Sequence, residues 1–178
     1  MSQTEAVATG TEFVAYEYTT VRADRDLESL YRDAYRNFGW VAEGYATTMP
    51  GTGAVTLKFK RDRRVKNRAL VLELQRKCQH ALDSIASLER SKTTTATAAA
   101  VGTGIVGSAF LAGSVFSLEA DLTALSIVLG AVGLIGWLVG YLAHGRVKAK
   151  KTAQVTPLID QQYDVVYETG EQAAHLLA

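Results

Sequence analysis

Two long stretches of this chain carry no charged residue: Ala96–Leu118, 23 residues, and Leu122–Ala143, 22 residues. A helix rises about 1.5 Å per residue, so each stretch reaches about 33–35 Å, enough to cross a hydrocarbon core about 30 Å thick. The alternative, two buried helices of a soluble bundle, would normally keep a polar face over such a length, because only one stripe of a core helix is covered. The runs therefore predict two membrane spans, separated only by Glu119-Ala120-Asp121. Nearly every other charge in the 178 residues lies before Thr93 or after Ala143, and the net charge of +1 conceals this segregation.

Charge also sets the expected orientation. Lys66, Arg68, Arg76, Lys77, Arg90 and Lys92 precede the first run, Arg146, Lys148, Lys150 and Lys151 follow the second, and the connection between them is acidic. The positive-inside rule then places both termini in the cytoplasm, in a multi-pass protein of the cytoplasmic membrane. Trp137, Tyr141, Arg146, Lys148, Lys150 and Lys151 are the expected interface anchors. Asp121 suits the start of the second helix, where the macrodipole favours an anion. The opening "MSQTEAVATGTEF" lacks the cationic and apolar regions of a cleaved signal peptide and reads as a flexible tail over residues 1–12. A lone Cys78 allows no internal disulfide and fits a reducing compartment.

Gly102, Gly104 and Gly107 stand in the GxGxxG spacing of a dinucleotide loop, with Glu119 and Asp121 downstream as candidate ribose-binding acids. That fold needs a buried strand before the first glycine, and "TTTATAAA" is a poor one. Small residues at helical spacing have another use. Ala96, Ala100, Gly104, Ser108 and Ala112 fall four apart on the first span, and Gly136 and Gly140 make a GxxxG step on the second with Gly133 nearby. Such ridges let helix backbones approach closely. They serve either packing within the hairpin or a homo-oligomer.

Ahead of the spans, "FVAYEYTTV" has the aromatic and branched composition of a strand. Leu27, Leu30, Tyr31, Ala34, Tyr35 and Phe38 follow at helical spacing, with Asp24 as cap and Gly39 as stop. "WVAEGY" and "AVTLKFKR" read as two further strands around the loop "ATTMPGTG", with Val55, Leu57 and Phe59 on one face. The predicted order is β-α-β-β over residues 13–64. Tyr16, Tyr18, Tyr31, Tyr35, Trp40 and Tyr45 are assigned mostly to a small core rather than to base stacking. The pattern "YEY...V...FGW...LKFKR" resembles small bacterial domains of unknown function, and its coupling to two spans resembles uncharacterised two-helix membrane proteins of Gram-positive bacteria. The resemblance implies a three-stranded sheet on one helix and brings no known activity or functional residues.

Leu70, Leu74, Cys78, Ala81, Ile85 and Leu88 recur at coiled-coil-like spacing, placing a stalk helix over residues 65–92 before a first span at 93–118. After the turn at 119–121 and the second span at 122–144, residues 145–178 hold a basic segment and an amphipathic helix. Pro157 is read as its start, with Ile159, Tyr163, Val166, Gly170, Ala173 and Leu177 on one face. The two seams are expected to pair antiparallel. The class is thus an α+β membrane protein: a small β-α-β-β cytoplasmic module, a long helical hairpin with two transmembrane helices, and an antiparallel cytoplasmic helix pair.

Lys58, Lys60, Arg61, Arg63, Arg64, Lys66 and Arg68 concentrate in "KFKRDRRVKNR". They read either as a solvated loop or as a contact for anionic lipid or an acidic protein. An upright stalk would hold them about 40 Å from the bilayer, beyond a Debye length of about 8 Å, which favours the protein. No nucleic-acid motif is present. His80, His144 and His175 are scattered, and no carboxylates pair at metal or acid–base spacing, so no catalytic residue, metal or cofactor is expected. The expected role is a non-enzymatic membrane protein displaying an interaction or assembly module. An oligomeric pore or transporter-accessory subunit is the alternative, with Thr103, Ser108, Ser114, Ser117, Thr123 and Ser126 as the residues a lumen would use.

Overall fold

The computed structural model describes residues 14–46 and 53–178. The expected tail at 1–12, Phe13 and most of the loop around Pro50 lie outside the described residues. Strand β1 (Tyr16–Asp24) leads through a 3-10 turn (Arg25–Leu27) into helix α1 (Glu28–Asn37). Strands β2 (Val41–Tyr45) and β3 (Ala54–Asp62) follow, then helices α2 (Arg68–Glu119) and α3 (Thr123–Leu177). The protein is α+β, with one small sheet and two long apolar helices that could cross a membrane.

Two compact units divide the chain. The first holds the described residues up to Gln79 together with Val166–Ala178. Its sheet has the order β1-β3-β2, with both pairings antiparallel. Strand β3 is central because its alternation is cleanest: Val55, Leu57 and Phe59 are all buried on one face. Tyr31, Ala34, Tyr35 and Phe38 of α1 supply more of the core, and Tyr35 stacks on Phe59 with ring centroids 4.7 Å apart. Asp24 stands at the N-cap of the 3-10 turn without a side-chain cap bond.

Helix α1 ends at Gly39, whose φ of +77° only glycine adopts at little cost. The Gly39 N–H bonds the Arg36 carbonyl (3.0 Å) and the Trp40 N–H the Tyr35 carbonyl (3.2 Å), a Schellman ending. The ends of α2 and α3 belong to the same unit as the sheet. Val71, Leu74 and Cys78 are buried, as are Val166, Thr169, Gly170 and Ala173. Leu70, expected on the seam, is exposed, and Val71 occupies the buried position instead. A Cβ on Gly170 would stand 2.8 Å from the Asn37 amide nitrogen, so a larger residue there must displace Asn37.

The second unit, His80–Val165, is an antiparallel pair of helical segments. Ala81, Leu82, Ile85 and Ala96 are buried on α2, and Val155 and Ile159 on α3. Helix α2 closes in a second Schellman ending, with Asp121 N–H to the Leu118 carbonyl and Leu122 N–H to the Ser117 carbonyl (3.2 and 3.0 Å). Asp121 occupies the left-handed position that glycine usually takes, at φ +59°. Its position therefore ends α2 as well as preceding α3. Pro157 does not start a helix: α3 runs through it without interruption. Both Pro157 and Ala153, whose carbonyl loses its helical donor there, lie on the exposed side, where packing does not compound the loss.

Candidate functional site

The seven basic residues expected to form one patch fall into different environments. On β3 the inward row Val55, Leu57, Phe59 continues to Arg61, which is 3% exposed. A buried, unpaired guanidinium would cost several kcal/mol. Here Nε and Nη2 donate to Oε1 of Glu17 at 2.8 and 2.5 Å. Nη1 donates to the Phe38 carbonyl at 3.0 Å and to Gln75 Oε1 at 3.3 Å, and the guanidinium lies 4.3 Å from the centre of the Trp40 ring. Arg68 takes the second Glu17 oxygen at 2.8 Å and the Arg63 carbonyl at 3.1 Å. Burial pushes the Glu17 carboxyl up, but Arg61, with Arg68, outweighs it and holds the group below its ordinary value. Arg61 is thus a clamp joining β1, β3, the end of α1 and the start of α2. It is withdrawn from the surface, and Arg68 shares its carboxylate.

Lys60 points to the opposite face, where it pairs with Glu43 at 2.7 Å and lies 5.3 Å from the Tyr16 ring centre. The bond to Glu43 raises its pKa. Lys58, Arg63, Arg64 and Lys66 are exposed, and the Arg64 N–H is held by Asp62 Oδ1 at 2.8 Å. The register puts Tyr18 opposite Lys60, Thr20 opposite Lys58 and Val41 opposite Lys60, so these side chains share the face turned away from the core. The expected aromatic core is therefore only half realised. Tyr31, Tyr35 and Trp40 are buried, while Tyr16, Tyr18 and Tyr45 are exposed. The strand period of two sends the even-numbered residues of β1 outward. Tyr45 is held at the sheet margin by Glu28, to which its hydroxyl donates at 2.7 Å.

Small residues do bring the two apolar helices together, but not along the expected ridge. A residue four positions on lies about 40° further round the helix, so Ala96 to Ala112 winds through about 160°. Ala96 is fully buried, whereas Ser108 and Ala112 are exposed and a Cβ on Gly104 would meet nothing within 4 Å. On α3 contact follows steps of seven, and on α2 it passes from Thr103 to Gly107 and Ser114 in steps of four and seven, which together stay close to one face. Thr103 meets Gly140, Gly107 meets Gly133 and Trp137, and Ser114 meets Ser126 and Gly130. On α3 the buried positions are Ser126, Gly133 and Gly140, and Gly136 lies beside the Gly107 Cα. Ala100 is half-buried next to Gly140.

Trp137, expected as an interface anchor, lays one ring edge on Gly107 and so also belongs to this seam. Tyr141 is 79% exposed, Arg146, Lys148 and Lys150 are exposed, and Lys151 is half-buried. Cys78 is buried, which pushes its thiol up to about 11 against an opposing hydrogen bond from Thr169. Among the described residues, no three His, Cys, Asp or Glu side chains converge on one point. A groove in the first unit instead follows Thr19–Arg22 of β1 and the first turns of α2. Comparison of the chain with protein families, curated proteins and solved structures yields no match.

Proposed function

We propose that the chain is a non-enzymatic integral protein of the cytoplasmic membrane, with both termini cytoplasmic, whose small α+β unit serves as an interaction or assembly module. One observation carries the membrane part: the most apolar windows of α2 and α3, with mean hydropathy 1.7 and 2.1, are only 6% and 17% buried. Val101, Ile105, Val106, Phe116, Ile127, Leu134 and Ile135 all project outward. Water would penalise such a surface, and lipid tails cover it. The basic flanks and acidic turn support the sidedness. The resemblance to two-helix membrane proteins of Gram-positive bacteria points the same way.

Hydroxyl geometry favours a packed hairpin over a pore. Thr103 donates to Ala99 and Ala100 carbonyls, Ser108 to Gly104, Ser117 to Gly113, and Ser114 to the Ser126 carbonyl at 2.7 Å. Groups committed to backbone acceptors satisfy themselves in a medium without water and leave little to line a lumen. Alkaline carbonate should leave the protein in the membrane pellet, and release into the supernatant would refute the reading. For sidedness, Ala120→Cys in a Cys78→Ser background should react with a membrane-impermeant maleimide from outside intact cells. Labelling only after lysis would reverse the orientation.

A further inference from the structure

Strand β1 lies at the edge of the described sheet. Its pairing with β3 is bracketed by two ladder bonds, Arg63 N–H to the Ala15 carbonyl at 2.8 Å and Arg25 N–H to the Gly53 carbonyl at 2.9 Å. Residues of an antiparallel strand alternately bond the neighbour and face away from it. With Ala15 and Arg25 engaged toward β3, the odd-numbered residues between them face β3 as well. The even-numbered ones, Thr20 and Arg22 among them, turn both N–H and C=O to the open edge.

A groove of about 510 Å³ runs along that edge. It touches Thr19, Thr20, Val21 and Arg22 in succession, although alternate members of this run point to opposite faces of the sheet. Contact with four successive residues runs the groove along the strand's backbone. Leu72, Gln75, Arg76 and Gln79 of α2, with Tyr35 of α1, complete its lining. Two arginines line the groove and no carboxylate does. Arg76 donates to the Leu72 carbonyl of its own helix at 3.4 Å, and among the described residues neither Arg76 nor Arg22 pairs with an acid.

We propose that this groove binds an extended acidic segment of a partner protein, which adds to β1 as a further strand and sets its carboxylates on Arg22 and Arg76. The proposal deepens the interaction-module reading and rests on it for the existence of a partner. Thr20 and Arg22 offer two donors and two acceptors, which suits strand addition, where main-chain bonds supply affinity and alternate side chains supply specificity. Arg22 lies on the outward face and Arg76 on the helix side. The two acids must therefore sit an odd number of residues apart, because side chains of an extended peptide alternate.

The test uses the full chain in dodecyl maltoside and fluorescence polarisation of labelled nine-residue Val/Thr peptides with adjacent Glu and Asp at the centre. The acidic peptide should bind, and its Gln/Asn and Lys counterparts should bind at least about tenfold more weakly. Methylating alternate backbone nitrogens on one edge of the peptide should abolish binding, and methylating the other edge should not. Arg22→Glu with Arg76→Glu should reverse the preference toward the Lys peptide, with circular dichroism confirming the fold. Thr20→Pro removes one outward donor without touching the β3 ladder and should weaken binding while leaving the fold intact. Equal binding of acidic and neutral peptides, indifference to methylation on either edge, or selective capture of a labelled oligothymidine would each overturn the proposal. Carbonate resistance of the same membranes scores the anchor separately: lost peptide binding with resistance intact sinks the groove alone, and released protein that still binds sinks the anchor alone.

Discussion

Alanine at Gly104 and alanine at Gly107, introduced singly, separate helix propensity from helix packing within one segment of α2. Each change gains about 0.8–1.0 kcal/mol of intrinsic helix preference, so that contribution cancels when the two variants are compared. At Gly104 the new Cβ meets nothing within 4 Å. At Gly107 it would stand 2.7 Å from Trp137 Cδ1 and 3.0 Å from the Gly133 carbonyl oxygen. The indole can swing aside, but the backbone oxygen moves only if the helices part, and overpacking of this kind costs about 1–3 kcal/mol. Gly107→Ala should therefore be about 1–3 kcal/mol less stable than Gly104→Ala, with Gly104→Ala at or above wild type. Titrating dodecyl sulfate into dodecyl maltoside micelles, with circular dichroism for helix content and tryptophan emission for the Trp137 contact, reads the order directly. Identical midpoints, or a weaker Gly104→Ala, would refute the seven-residue seam.

Arg61→Met leaves the Phe38 carbonyl without its guanidinium donor and Glu17 with Arg68 alone, and should cost about 3–5 kcal/mol of stability, read by urea denaturation through the adjacent Trp40. A loss below about 1 kcal/mol would mean that the clamp is dispensable. Because the folded Glu17 carboxyl titrates below its ordinary value of 4.5, its contribution is complete above that pH and is lost as pH falls through the lower folded value. Wild type should accordingly lose stability below pH 4.5, and Glu17→Gln should be less stable at neutral pH with a flatter acid limb. An unchanged acid limb would remove Glu17 from the account. Cys78, with its thiol raised from 9.0 to about 11, should carry about a hundredfold less thiolate at neutral pH than an ordinary cysteine, so iodoacetamide should modify it slowly until denaturant is added. Rapid labelling of the folded protein would contradict its burial.

Much of the small unit was legible in residue order. The parity that puts Val55, Leu57 and Phe59 on one face of β3 also puts Arg61 there, and Glu17 on β1 has the matching parity. That was the available signal for the clamp, hidden because seven cations in eleven residues look like a surface patch. Parity likewise separates Tyr16 and Tyr18 from the buried rings. Gly39 is legible as a stop because a residue at positive φ favours glycine, whereas Asp121 in the same role is not, since aspartate is read first as a helix starter.

By itself the sequence determined that the chain has two long charge-free helical runs and a sheet-forming segment ahead of them, because length, charge and strand alternation are local properties. Only the tertiary structure decided which small residues touch. A four-residue ridge drifts about 40° per step, while the partner helix stays on one side, so Gly107 rather than Gly104 meets Gly133. The structure alone also joined Arg61 to Glu17 across the sheet and put Arg22 and Arg76, residues 54 positions apart, on the lining of one groove. Pairing register and helix docking bring such groups together, and neither is a property of any single stretch of chain.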